Sequence, residues 1–205
     1  MSAKTPVIEV RTWGRRVGAV APDPTAGCYV FEYDPAWRRS GIDLAPLTMP
    51  VAKGGGTYLF PELPLATYKG LPGLLSDALP DDFGNALIDA WMARQGITTS
   101  QVTALDRLAY MGRRGMGALE FRPARGSHRD SKRAIELKQL VEAARKAVHG
   151  ELGEDALSKA AIENIIRVGT SAGGARAKAV IAWNPLTEEV RSGQFDVEPG
   201  FEHWL

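Results

Sequence analysis

The hydrophobic pattern of this chain changes period near Leu71, and that change sets its fold class. Before it, apolar residues come in short alternating or β-branched runs. Val7-Ile8-Glu9-Val10 and Val17-Gly18-Ala19-Val20 read as the arms of a hairpin, turned at Trp13-Gly14-Arg15-Arg16. Cys28 to Tyr33 reads as a third strand, rich in aromatic and β-branched residues and ended by Asp34-Pro35. Glycine and proline crowd Pro46 to Pro72, which predicts loops with short strands. Residues 1–72 therefore read as a small β-rich unit.

After Leu71 the spacing becomes helical. Leu74, Leu75, Ala78 and Leu79 fall three and four apart. Pro80-Asp81-Asp82 opens a second helix, with carboxylates in the first turn where the helix dipole favours them. Phe83, Leu87, Ile88, Trp91 and Met92 form its apolar face, and Gly96 is its stop. Thr99-Ser100 offers a cap for a third helix carrying Val102, Leu105, Leu108, Ala109 and Met111, which Gly112 ends. Gly117 to Phe121 then reads as a strand.

Arg122 to Arg133 is polar, with Arg122, Arg125, Arg129, Lys132 and Arg133 against Asp130 alone. Two readings stand: a nucleic-acid patch, or a solvated linker. The absence of interleaved aromatics for base stacking favours the linker. Ile135 to His149 and Glu154 to Ile166 are amphipathic helices, and Arg167 to Leu205 looks β-type. The fold class is α+β. The expected domains are 1–122, a polar linker at 123–134, a helical connector at 135–166, and strands at 167–205.

Bulk properties exclude several functions. The 205 residues carry a net charge of +1, so no global field draws in nucleic acid or an anionic membrane. The single cysteine, Cys28, rules out a disulfide framework within the chain and a cysteine-rich zinc site. His128, His149 and His203 have no metal-ligand spacing, so no metal site is expected. No run approaches the roughly 18 apolar residues of a membrane span. A soluble protein of the reducing cytoplasm is the expectation.

The segment Val168 to Trp183 carries the most chemistry. Its small residues, Gly169-Thr170-Ser171-Ala172-Gly173-Gly174-Ala175, let backbone approach a ligand closely. A row of exposed N–H groups in such a loop makes a concave anion site. Arg176 and Lys178 add positive charge. The alternative is a plain connection between a helix ending near Ile166 and a strand at Ala179 to Trp183. A Walker loop is excluded, because its Gly-Lys-Ser/Thr ending and following helix are absent. A loop that leads directly into a strand, then a hairpin turned at Asn184-Pro185-Leu186-Thr187, suits a kinase-type nucleotide cover better.

These residues resemble the HipA family of serine/threonine kinases. Ser171-Ala172-Gly173-Gly174-Ala175-Arg176-Ala177-Lys178 is similar to its glycine-rich loop. Pro46-Leu47-Thr48-Met49-Pro50 resembles its Pro-Leu-Ser-hydrophobic-Pro stretch. Leu74 to Gly84, with Leu79-Pro80-Asp81, resembles its Leu-Leu-Pro-Asp helix start. Leu105 to Leu119, with Gly112-Arg113 and Gly117-Ala118, resembles its helix, Gly-Arg, Gly-Ala, strand segment. The four pieces occur in the family's order.

The resemblance implies ATP with Mg²⁺ as cofactors and phosphorylation of Ser/Thr on translation proteins such as an aminoacyl-tRNA synthetase. It also implies a toxin role restrained by a HipB-like DNA-binding antitoxin. Gly173, Gly174, Ala175, Arg176, Ala177 and Lys178 correspond to the loop over the ATP phosphates, and Ser171 to an autophosphorylation site. The family's ATP-pairing lysine would fall just past Leu205, and its catalytic and metal-binding aspartates further on. No catalytic residue is expected within these 205 positions, and the chain alone is expected to be inactive. A sheet ending here would leave Trp183, Phe195, Phe201 and Trp204 poorly covered. The alternative function is a non-catalytic subunit that binds and restrains a separately encoded kinase core.

Overall fold

The computed structural model describes residues 6–52, 54–115, 117–124, 178–193 and 197–204, and in it the β-rich start of the chain becomes one antiparallel sheet. Strand β1 (Ile8–Thr12) and strand β2 (Arg15–Pro22) form the expected hairpin, with longer arms and a tighter turn than predicted. The turn is Trp13-Gly14 alone, and both residues have positive φ, 49° and 72°. Such a pair matches the twist of a two-residue hairpin. A bulge lies where Val10 pairs with Gly18 and Arg11 pairs with Arg16. The extra residue is Val17, which lets Val17 and Gly18 both be buried although they are neighbours.

Strand β3 (Tyr29–Tyr33) pairs with β2, and the short β4 (Thr57–Tyr58) pairs with β3. Asp34-Pro35 does end β3, and it also starts a helix that the sequence pattern did not reveal. In α1 (Pro35–Arg39) the Asp34 carboxylate accepts the Ala36 N–H at 2.8 Å, and proline occupies the first turn where it lacks no needed donor. Five residues are too few to show a helical period. Trp37 of α1 is fully buried, and its indole N–H donates to the Ile42 carbonyl at 3.0 Å.

The helix expected from Leu74 to Leu79 is the short α3 (Gly73–Ser76), and the glycine- and proline-rich stretch before it holds a further one, α2 (Leu65–Tyr68). That stretch is pinned by side chains of the sheet: the Tyr33 hydroxyl donates to the Met49 carbonyl at 2.9 Å. Phe31, Tyr33, Tyr58 and Phe60 run as an aromatic ladder, with successive ring centroids 4.9, 5.9 and 6.3 Å apart.

The sheet closes with a segment distant in sequence. Strand β5 (Glu120–Arg122) pairs with β1, placing Phe121 opposite Val10, and the order is β4-β3-β2-β1-β5. The strand expected at 117–121 is thus displaced toward the C-terminus. Helix α5 (Ala104–Met111) packs Leu105, Leu108, Ala109 and Met111 into the core with Ile8, Val20, Phe31 and Phe121. Apart from Ala109, each such side chain stabilises the fold by about 1.5–3 kcal/mol. The cap of α5 is Thr103 and not Thr99-Ser100: Thr103 and Asp106 form a reciprocal capping box. Thr99–Gln101 forms a separate 3-10 turn.

The chain divides into two compact units, Met1–Leu79 with Thr103–Ala124, and Pro80–Val102 with Arg125–Leu205. In the second, α4 (Asp82–Ala93) follows the sequence reading closely. Asp81 caps it by accepting the Gly84 N–H at 2.8 Å, and Phe83, Leu87, Ile88 and Met92 are buried. The same unit holds a three-stranded antiparallel sheet, β6 (Ile181–Trp183), β7 (Val190–Ser192) and β8 (Glu202–Trp204), ordered β7-β6-β8. With helices and antiparallel sheets together, the fold is α+β. The linker and helices expected between 125 and 166 lie outside the described residues.

Candidate functional site

Of the residues expected at the phosphates, Lys178 alone is among those described. Ser171, Gly173, Gly174, Ala175, Arg176 and Ala177 lie outside them. Lys178 is half-buried, and three residues later the chain enters β6. What the structure does supply is the platform that follows the loop.

That platform is a hairpin with a well-determined turn. Asn184 accepts the N–H groups of Leu186 and Thr187 on its side-chain oxygen, at 2.9 and 3.3 Å. Its own N–H donates to the Glu189 carbonyl at 2.9 Å. This is the asparagine turn that the Asn184-Pro185 pair predicts. At the other end, a Cβ on Gly193 would stand 2.6 Å from a methyl of Val180. Only glycine lets the strands approach so closely there.

Cross-strand register sorts the side chains into two faces. Ala182, Arg191 and His203 share one; Ile181, Trp183, Val190, Ser192, Glu202 and Trp204 share the other. On the second face the rings of Trp183 and Trp204 meet edge to face, with centroids 6.1 Å apart. Trp204 is 52% exposed, Trp183 and Phe201 are half-buried, and Phe195 lies outside the described residues.

Arg191 was not singled out in the sequence. Its guanidinium binds Glu189 at 2.7 Å, contacts Glu198, and lies 4.8 Å from the centre of the Phe201 ring. The hydrogen bond it donates to the Glu189 carboxylate is the main cause that raises its pKa above the ordinary value. Two carboxylates beside it balance this cation's charge within its own unit. The readable signal was Glu189 two residues before Arg191, which a strand places on the same face.

Several titratable groups are buried in the first unit. Burial pushes the Cys28 thiol up, which lowers its thiolate fraction and its reactivity. Burial likewise pushes Tyr33 up to about 12. Arg114 lies over the Tyr110 ring, 4.9 Å from its centre, and donates to the Tyr110 carbonyl. Burial raises the Tyr110 hydroxyl and lowers the Arg114 guanidinium. Among the described residues, no group of His, Cys, Asp and Glu has metal-holding geometry, and no helix is long and apolar enough to cross a membrane.

Comparison with curated proteins gives no match. Comparison with family models does: the HipA N-terminal domain matches residues 8–122, more than half of the chain. The matched span opens at β1 and closes at β5, so it contains every strand of the five-stranded sheet. The chain therefore belongs to the HipA family, whose N-terminal domain it carries.

Proposed function

We propose that this chain supplies the N-terminal part of a HipA-like serine/threonine kinase that acts as the toxin of a toxin–antitoxin pair in the cytoplasm. The family match over residues 8–122 is the observation that carries this reading. In it, backbone from Gly173 to Lys178 covers the ATP phosphates, with Mg²⁺ and the catalytic carboxylates supplied by a kinase core. The small-residue sequence of that loop supports the assignment, as does the antiparallel hairpin β6–β7 that follows Lys178. Ser171 is the autophosphorylation site. A phosphate there adds about −1.5 to −2 charges beside a site that receives phosphate, and repulsion expels the loop. The partners are the kinase core, a DNA-binding antitoxin, and a translation-related protein substrate such as an aminoacyl-tRNA synthetase.

A second reading makes the chain a non-catalytic subunit that restrains a separately encoded core. It rests on the same match, since an N-terminal domain is what such a subunit would consist of. Calorimetry with ATP and Mg²⁺ separates the two, run on this chain alone and on this chain joined to a kinase core. ATP binding by the joined form alone supports the kinase reading. No ATP binding by either, with tight association between the separate pieces, supports the regulatory one.

A further inference from the structure

The tip of the β1–β2 hairpin breaks a local rule. A two-residue turn with positive φ at both positions favours asparagine and glycine, because a side chain there crowds the backbone. The first position holds Trp13, at φ 49°, and its ring is not tucked away: the residue is 67% exposed. Neither a hydrogen bond nor a ring contact holds the indole among the described residues. Its neighbour Gly14 is fixed, since Arg11 donates to the Gly14 carbonyl. A bulky residue in an unfavourable conformation, two-thirds exposed, points to a role outside the fold.

The surroundings define what the indole meets. Trp13, Gly14, Arg15 and Arg16 are four consecutive exposed residues without an acid. Arg15 has no carboxylate partner among the described residues; its guanidinium lies 4.9 Å from the centre of the Trp37 ring. Arg16 is held loosely, 3.7 Å from Glu9 and 3.6 Å from Asp34. The outermost surface is therefore an indole flanked by two cations. Behind it, Glu9 and Asp34 stand beside Arg16, and Glu120 pairs with Arg113 and lies opposite Arg11. Two arginines and one ring are too few for the run of phosphate contacts and stacked bases that nucleic-acid binding uses, which sets this tip apart from a nucleic-acid finger.

We infer that the Trp13–Arg16 tip is a docking anchor for another protein, whose surface offers an apolar pocket for the indole with carboxylates at its rim. Exposed tryptophan and arginine are the residues that dominate such contacts, and the cations set orientation and rate. The anchor stands whether or not the chain binds ATP.

The test uses the full chain with a photo-cross-linking benzoylphenylalanine at position 13, illuminated in the cell that makes it. The expected product is an adduct with one other protein, lost in the Arg15→Glu, Arg16→Glu double variant. That protein, purified, binds the wild-type chain at least tenfold more tightly than the Trp13→Asn variant, and the difference shrinks as salt rises. Thermal unfolding is the control: Trp13→Asn, which suits the turn, melts at or above the wild-type temperature. A nucleic-acid adduct, an adduct within the chain or with a second copy, no adduct, or a Trp13→Asn variant that melts several degrees lower would each overturn the proposal.

Discussion

A Cβ atom on Gly18 would lie 2.2 Å from the carbonyl oxygen of Glu32 and 2.7 Å from the Phe31 ring. The glycine in β2 is thus a consequence of how closely β3 approaches at the bulge, and its dihedral angles play no part. Gly18→Ala should force these strands apart. Overpacking of this kind costs about 1–3 kcal/mol, and the clash with backbone puts this site at the upper end. Urea unfolding of the variant should show a lower midpoint with an unchanged slope.

Tyr33 makes stability fall at high pH. Burial raises its hydroxyl from the ordinary 10 to about 12, so the folded protein holds the proton more tightly than the unfolded chain. The stabilisation is complete below pH 10 and is lost as pH rises through 12. Tyr110 is shifted the same way and adds to the loss. Tyr33→Phe removes the hydrogen bond to Met49 and should cost about 0.5–1.5 kcal/mol at pH 7. It should also flatten the decline above pH 10, which denaturant titrations across pH 8–12 will show.

The start of α5 rests on one reciprocal pair. Thr103 accepts the Asp106 N–H at 3.1 Å, and the Asp106 carboxylate accepts the Thr103 N–H at 3.1 Å. Thr103→Ala should destabilise the protein by about 1 kcal/mol. Ser100→Ala, in the 3-10 turn, should change stability by less than about 0.5 kcal/mol, as surface substitutions do. Comparing the two melting temperatures tests where the helix begins.

Ser171→Asp tests the proposed switch. In the form joined to a kinase core, a carboxylate at this position should weaken ATP binding at least tenfold in calorimetry. Ser171→Ala should leave it within twofold. Equal affinities for both variants would make Ser171 a turn residue only.

Elements whose reasons are local were legible in the sequence. The Asp81 cap with the apolar face of α4, the stop at Gly96, the Asn184 turn and the first three strands all rest on neighbours a few residues apart. The order of motifs also led to the family. Short α1 was hidden, because five residues show no period and Asp34-Pro35 reads equally as a strand end and a helix start.

What only the tertiary structure decided is long-range. That β5 joins β1, that Thr12 donates its hydroxyl to the Ala118 carbonyl at 2.8 Å, that Gly18 admits no side chain and that Trp13 stays outside depend on residues far apart in the chain. Periodicity determines which residues seek burial, since each element carries its own apolar face. Which face meets which is set when the strands pair, and no single segment holds that information.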